Sequence, residues 1–280
     1  MIALTGANGY VGRALAAELA GRGLATRGLV RSPAPGANQA RFELDQPIAD
    51  GALSGVETLI HAAHDFRPAR EPDLRRVNLD GSRRLLEAAQ RAGVRRIVFV
   101  SSLAAFDGAA SVYGRLKRDL ERDVQAIGGV SVRPGTVYGG AGGGLFAGLE
   151  RVARVAPVLP DFGPRARIRL VHVDDLKRVV ARLIELPADA TPPILPVAHP
   201  DEFTLREILV TLPRGARKPA RFVPAPAGLA LAGLRALEAA GLTPPFRSDS
   251  LIGLLHGNPA PGLAPEVLGI RLRRFGAPGA

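Results

Sequence analysis

The sequence predicts an α/β fold, a doubly wound parallel sheet joined to a smaller C-terminal lobe. Three observations carry that expectation. Short apolar runs without polar alternation recur through the first half, as expected of strands buried on both faces. Longer segments with helical spacing separate them, the order that builds a parallel sheet covered by helices. A glycine-rich turn links the first of these strands to the first helix.

The elements follow in order. Met1–Thr5 is the first strand, and the helix it feeds covers Tyr10–Ala20. Leu24–Val30 is the second strand, followed by a Pro/Gly loop from Ser32 to Gly36. Arg41–Leu44 and Val56–Ala62 are further strands. Asp73–Ala92 is a helix with Leu74, Val77, Leu85 and Leu86 at helical spacing, closed by Gly93. Val94–Ser101 is an almost wholly apolar strand, Val112–Ile127 a helix and Val130–Arg133 another strand. The texture changes near Gly135: Gly139–Gly144 holds five glycines in six residues, and prolines become frequent beyond it. The expected division is a sheet domain over residues 1–138 and a substrate lobe over 139–280, its chain partly returning to the sheet.

Composition sets the outer limits. With 280 residues, 46% hydrophobic and 22% charged, the chain is an ordinary globular one. No run of 18 apolar residues exists, so a membrane span is excluded. The most apolar stretch, Ala227–Leu242, is broken by Arg235 and Glu238 and reads as an amphipathic helix. The N-terminus opens directly into a strand, with no basic segment or cleavage site, so a cytoplasmic protein is expected. The absence of cysteine excludes disulfides, thiolate catalysis and cysteine zinc sites, and no metal is expected.

The net charge is +11, and all but three of the 37 basic residues are arginine. Such a balance fits an anionic partner: nucleic acid, acidic lipid, or a phosphate-bearing cofactor or substrate. The arginines are scattered as pairs, such as Arg75-Arg76 and Arg83-Arg84, rather than gathered in a basic tail. That pattern reads first as solvated helix faces. The expected partner is a small molecule, with neither nucleic acid nor membrane.

Thr5-Gly6-Ala7-Asn8-Gly9-Tyr10-Val11-Gly12 lies between strand and helix. In such a loop the first glycine makes a tight turn, the second admits a pyrophosphate, and the third lets helix and strand pack closely. The helix N-terminus then offers N–H groups and partial positive charge to the anion. Gly6, Asn8, Gly9, Tyr10, Val11 and Gly12 are therefore the expected dinucleotide contacts. Arg31 follows the second strand, where an acidic residue would favour NAD and an arginine suits the 2′-phosphate of NADP. NADP is the expected cofactor, with Arg13 a helper and NAD the alternative.

The Gly-x-x-Gly-x-x-Gly spacing resembles the short-chain dehydrogenase/reductase superfamily. Further segments resemble its extended, epimerase/dehydratase-like branch. They are Leu59-Ile60-His61-Ala62-Ala63, Val77-Asn78-Leu79-Asp80-Gly81-Ser82, Phe99-Val100-Ser101-Ser102, Arg133-Pro134-Gly135-Thr136-Val137-Tyr138-Gly139 and Val171-His172-Val173-Asp174-Asp175-Leu176. Phe203-Thr204-Leu205-Arg206-Glu207-Ile208 is a weaker match, and together these segments span roughly residues 1–210 in the branch's order. The resemblance implies a Rossmann sheet with Ala62, Ala63 and Pro134 at the cofactor and Asp45 at its adenine. In relatives the helix pair containing Val77–Gln90 and Val112–Ile127 forms a dimer's four-helix bundle, so the resemblance also implies a homodimer. It assigns His61 and His172 structural places, and Asp174 and Asp175 are expected to cap the helix after them.

Tyr113 and Lys117 lie four residues apart on one predicted helix, so they share a face. They stand where the family carries its Tyr-x-x-x-Lys. A free tyrosine has a pKa near 10. The Lys117 ammonium and an oxidised nicotinamide are expected to lower it, so that Tyr113 exchanges a proton with a substrate oxygen. Lys117 is also expected to hold the nicotinamide ribose, Ser102 to polarise the same oxygen, and Asn78 to complete the site by family position. His64 is a weaker candidate for tuning it. Two departures stand out: Leu103 occupies the place where many relatives carry the catalytic Ser or Thr, and only ten residues separate Ser102 from Tyr113.

The expected function is an NAD(P)-dependent oxidoreductase or epimerase acting on a hydroxyl or carbonyl carbon, with a nucleotide sugar slightly favoured as substrate. An NADPH-dependent carbonyl reductase is the near alternative. The two departures leave open a non-catalytic cofactor-binding sensor or assembly protein.

Overall fold

The computed structural model describes residues 1–276 except 141, 165, 188, 189, 213–220, 243 and 245. Seven strands form the main sheet: β1 (Ile2–Thr5), β2 (Thr26–Val30), β3 (Gln39–Arg41), β4 (Thr58–His61), β5 (Arg96–Val100), β6 (Val130–Pro134) and β10 (Ile194–Val197). Their spatial order is β3-β2-β1-β4-β5-β6-β10, and every pairing is parallel. The expected doubly wound sheet is therefore present. Chain order reverses between β1 and β4, which opens a crevice beyond their carboxyl ends.

Helices cover both faces. α1 (Tyr10–Gly21) and α6 (Val173–Glu185) bury Leu15, Leu19, Leu176, Val179 and Leu183 against one face. The other face carries α3 (Gly81–Arg91) and α4 (Val112–Ala126), which bury Leu85, Leu86, Leu116, Leu120 and Val124. Each fully buried aliphatic side chain contributes roughly 1.5–3 kcal/mol. α2 (Glu71–Leu74) runs into α3 through a π-helical turn at Arg75–Asp80, which places Asn78 and Ser82 beneath the end of β4.

The third strand starts two residues before its predicted place and ends at Arg41. Phe42 and Leu44 are buried as expected of a strand, but in a turn beneath α3. The Leu44 carbonyl oxygen lies 2.0 Å from where a Gly81 Cβ would stand, so only glycine fits that crossing.

The remaining elements build a second core. β7 (Thr136–Tyr138) pairs in parallel with β9 (Arg167–His172), and β11 (Glu202–Thr204) adds antiparallel to β9. β8 (Val158–Asp161) pairs with β12 (Arg221–Pro224). α5 (Gly144–Val155) and α7 (Leu205–Thr211) pack Phe146, Leu149 and Ile208 against them. α8 (Ala227–Ala239) and α9 (Ser248–Leu255) follow, then the hairpin β13 (Glu266–Val267) and β14 (Ile270–Arg271). Phe275 closes that core with ring centroids 5.1 Å from Tyr138 and 5.3 Å from Phe203.

α6 begins one turn earlier than its acidic pair predicts. His172 is the N-cap, its Nδ1 accepting the Asp174 N–H at 3.2 Å. Asp175 is buried instead, paired with Arg178 and accepting the Arg273 N–H at 2.7 Å. No helix among the described residues is long and apolar enough to cross a membrane.

Candidate active site

The glycine loop at the β1–α1 junction is shaped by close approach. Gly6 has φ +67°, and a Cβ there would lie 3.0 Å from the Ala63 Cα. A Cβ on Gly12 would lie 2.0 Å from the Gly6 carbonyl oxygen. The Gly9 N–H donates to that same oxygen at 2.8 Å. The turn thus brings Gly6 against Ala62 and Ala63 at the end of β4 and leaves the α1 N-terminus facing the crevice. A cradle with no room for side chains fits a dinucleotide pyrophosphate.

Tyr10 and the second glycine-rich loop meet over this cradle. The Tyr10 hydroxyl donates to the Gly139 carbonyl at 2.7 Å, and a Cβ on Gly143 would lie 2.3 Å from the Tyr10 ring. Burial, helped by Glu150 and Asp174, pushes the Tyr10 phenol up to about 12, so it stays a donor. A pocket of about 250 Å³ lies between Tyr10, Gly139, Gly140, Gly142, Gly143 and Phe146.

Beneath the cradle a buried relay fixes the crevice floor. The Ala62 and Ala63 N–H groups both donate to Thr5 Oγ1 at 3.0 Å. Thr5 Oγ1 lies 2.7 Å from His61 Nδ1, and His61 Nε2 lies 2.8 Å from Ser82 Oγ. The Ser82 hydroxyl donates to the Asn78 carbonyl at 2.5 Å, so it must accept from His61. His61 therefore carries its proton on Nε2 and accepts the Thr5 hydroxyl at Nδ1. Burial, with Lys117 nearby, depresses its pKa to about 3. The histidine is a neutral strut.

Tyr113, Lys117 and Ser102 converge at the carboxyl end of β5. Lys117 is buried one turn after Tyr113, and its Nζ donates to the Val100 carbonyl at 2.9 Å. The same ammonium lies 4.5 Å from the Phe99 ring centroid and 5.8 Å from that of Tyr113. Burial lowers the Lys117 pKa to about 7, with Glu121 opposing. Burial also raises the Tyr113 phenol to about 12, and a hydrogen bond with the Ser102 side chain is what opposes the rise. The expected lowering of Tyr113 by Lys117 is not found: desolvation raises the phenol, and only Ser102 opposes it. Ser101 turns away from the site, donating to the buried Glu121, which also pairs with Arg133.

Asn78 takes a bracing position. Its Oδ1 accepts the Asp65 N–H at 2.7 Å, and its Nδ2 donates to the Asp65 and Leu74 carbonyls at 2.9 and 3.2 Å. The braced loop carries His64 and Phe66 onto Tyr113, with centroids 5.0 and 5.9 Å from its ring. Burial holds His64 well below its usual pKa, so a neutral aromatic wall flanks the phenol.

Arg31 follows β2 directly and is exposed at the crevice. Burial raises the nearby Asp65 carboxyl, but hydrogen bonds from Arg67, with Arg31 at longer range, hold it below its ordinary value. Arg13 donates to the Asn8 carbonyl at 2.7 Å, which fixes the loop tip. Asp45 is exposed in the turn after Leu44. Pro134 ends β6, its carbonyl accepting the Leu103 N–H at 2.9 Å.

Four contributors escaped the sequence reading. Thr5 and Ser82 sit inside recognised segments, and a buried histidine's need for two partners is the signal that finds them. Phe66 carries no pattern. Asp249 is 136 residues from Tyr113, yet its carboxylate accepts the N–H groups of Val112 and Tyr113 at 2.7 and 3.0 Å.

Known proteins resemble this chain in sequence and in fold. The chain is 37% identical over 185 residues to a ceramide reductase of Caulobacter vibrioides, covering 62% of this chain and 58% of that protein. It is 33% identical over 120 residues to cinnamoyl-CoA reductase 1 of Oryza sativa subsp. japonica, covering 38% and 35%. The matched stretches thus span between about a third and three fifths of those relatives. The solved structure of MoeE5 in complex with UDP-glucose and NAD superposes with a TM-score of 0.64 at 22% identity, covering 91% of this chain and 96% of that one. A family model matches residues 2–198, and with the glycine cradle and the parallel sheet in place the chain belongs to the NAD dependent epimerase/dehydratase family.

Proposed function

We propose that this protein is an NADP-dependent oxidoreductase that reduces a carbonyl carbon on a substrate with an apolar body. The observation that carries this reading is the aromatic wall that His64 and Phe66 place against the Tyr113 ring, beside the buried Lys117. Two relatives named as reductases, of ceramide and of cinnamoyl-CoA, support the reductase reading. The fold likeness to MoeE5, solved with UDP-glucose, supports the nucleotide-sugar alternative less directly, since at 22% identity it speaks for the fold alone.

The chemistry follows from the side chains. The nicotinamide cofactor held by the glycine loop would supply a hydride for the carbonyl carbon. Tyr113, protonated with a pKa near 12, gives its phenolic proton to the carbonyl oxygen, and Ser102 donates a hydrogen bond to that oxygen. The C=O double bond becomes an alcohol, and the phenolate left behind regains a proton from solvent. Lys117 stands 5.8 Å from the ring, and its ammonium stabilises that phenolate. Gly6, Gly9 and Gly12 make room for the pyrophosphate, Arg31 meets the 2′-phosphate, and Asn78 holds the wall against Tyr113.

The test is NADPH consumption with a panel of aliphatic and aromatic ketones and aldehydes. Turnover is expected, and Tyr113→Phe should cut it by roughly 10²–10⁴-fold while leaving NADP⁺ binding intact. Interconversion of UDP-sugars without net cofactor consumption, and no turnover on the panel, would replace this reading with the epimerase one.

A further inference from the structure

α8 is built the wrong way round for a solvent-facing helix. None of its residues is buried, and its outward face consists of Leu229, Ala232, Gly233, Ala236 and Leu237, continued by Ala240. Leu229 is 73% exposed and Leu242, just beyond the helix, 57%. Its acidic residue, Glu238, turns inward and accepts two hydrogen bonds from Ser248, at 2.8 and 2.6 Å. The charge left on the outside of the helix is Arg235, and Arg221 is exposed on β12 just ahead of it. Exposed apolar surface beside cationic side chains marks an interaction site, and the sign of those charges suits an anionic surface.

We propose that the outer face of α8 docks this protein on an anionic lipid surface. The sign of the charge selects that occupant: Arg235 and Arg221 are the exposed charges beside the face, and a chain of net charge +11 is drawn to anionic headgroups. The helix is held in place from its other side. Ser248, bonded to Glu238 of α8, precedes Asp249, which holds the Tyr113 backbone, and Arg247 donates to the Pro68 carbonyl at 3.1 Å. Phe66, 61% exposed, is two residues from Pro68. These contacts tie the inner side of α8 to the elements around Tyr113 and leave its apolar face exposed. The sequence expectation of no membrane partner rested on the lack of a spanning run, and an interfacial helix needs none.

Co-sedimentation tests this without any assay of the reaction. Vesicles of phosphatidylcholine with about one third phosphatidylglycerol are the probe, beside pure phosphatidylcholine vesicles, at low salt. The intact protein should pellet with the anionic vesicles, and the variant Leu229→Glu with Leu237→Glu should lose at least about tenfold of the bound fraction. NADP⁺ affinity measured on the same samples should be equal in the two proteins, which shows that the variant is folded. Three results would overturn the proposal: no pelleting of the intact protein, equal pelleting of the variant, or a sedimentation-equilibrium dimer that the variant converts to monomer. The last would assign the face to a second copy of the chain.

Discussion

Asp249 holds Tyr113 by its backbone: the carboxylate of one accepts the N–H of the other at 3.0 Å and that of Val112 at 2.7 Å. These are two of the donors that a helix N-terminus leaves unpaired, and a carboxylate is the group best suited to them. Ser111 caps the same helix locally, its Oγ accepting the Gly114 N–H at 3.1 Å. The two caps differ in origin, since Ser111 belongs to the α4 approach and Asp249 to α9. Asp249→Ala and Ser111→Ala should each cost about 1–2 kcal/mol in urea unfolding. Asp249→Ala should in addition lower kcat severalfold more than Ser111→Ala, because it alone frees the tyrosine from the lobe. Equal losses of kcat would reduce Asp249 to a helix cap.

The buried lysine makes a distinct prediction about pH. Lys117 falls to about 7 in the folded protein, whereas an unfolded lysine titrates near 10.4. Between those values the unfolded chain binds one more proton than the folded one, so stability rises with pH across that window. Below pH 7 the cost of burying the ammonium is present in full. Urea midpoints of the intact protein and Lys117→Met should therefore differ most below pH 7, with the variant the more stable. The gap should narrow towards pH 10, by at most about 1.4 kcal/mol per pH unit. A constant gap would mean that Lys117 keeps an ordinary pKa.

Local chemistry made most of the framework readable. Gly6 and Gly12 were legible because a left-handed turn and a 2.0 Å approach admit no side chain, and such positions leave glycines at fixed spacing. Tyr113 and Lys117 were legible because four residues make one helical turn. Phe42 and Leu44 misled because apolar residues buried in a turn read like those buried in a strand. Asp174 and Asp175 misled because His172 accepts the first free N–H and frees Asp175 for Arg178 and Arg273. Asp249 was illegible for another reason. Its partner is chosen by tertiary packing across 136 residues, and no local pattern encodes that distance.

His61 should govern part of the acid limit of stability. It is held neutral with a pKa near 3, while an unfolded histidine titrates near 6.5. As pH falls from 6.5 towards 3 the unfolded chain takes a proton that the folded chain refuses, so stability falls by about 1.4 kcal/mol per pH unit for such a group. His61→Asn should lose stability at pH 7.5 by breaking the contacts with Thr5 and Ser82, on the order of 1–3 kcal/mol. Its acid slope should nonetheless be shallower by close to one proton. Urea midpoints at pH 7.5, 6 and 4.5 for both proteins read the two effects separately, and an unchanged slope would remove His61 from the account.

Cofactor choice turns on Arg31. It stands exposed just after β2, and it forms no ion pair among the described residues, since Asp65, the carboxylate in its reach, is held by Arg67 at 2.5 Å. A guanidinium left free at that strand end is available to a 2′-phosphate, and a charge-assisted bond of this kind contributes about 1.5–3 kcal/mol. Arg31→Ala should therefore weaken NADP⁺ binding on the order of ten- to a hundredfold and leave NAD⁺ almost unchanged, as titration calorimetry would read. Arg31→Asp should go further and reverse the preference, because a carboxylate accepts the two ribose hydroxyls and repels the phosphate. If the unaltered protein instead binds NAD⁺ more tightly and Arg31→Ala changes neither affinity, the arginine is surface charge only. The balance would then move from a reductase that exchanges NADPH towards an enzyme that keeps its NAD⁺ and returns the hydride to the same substrate.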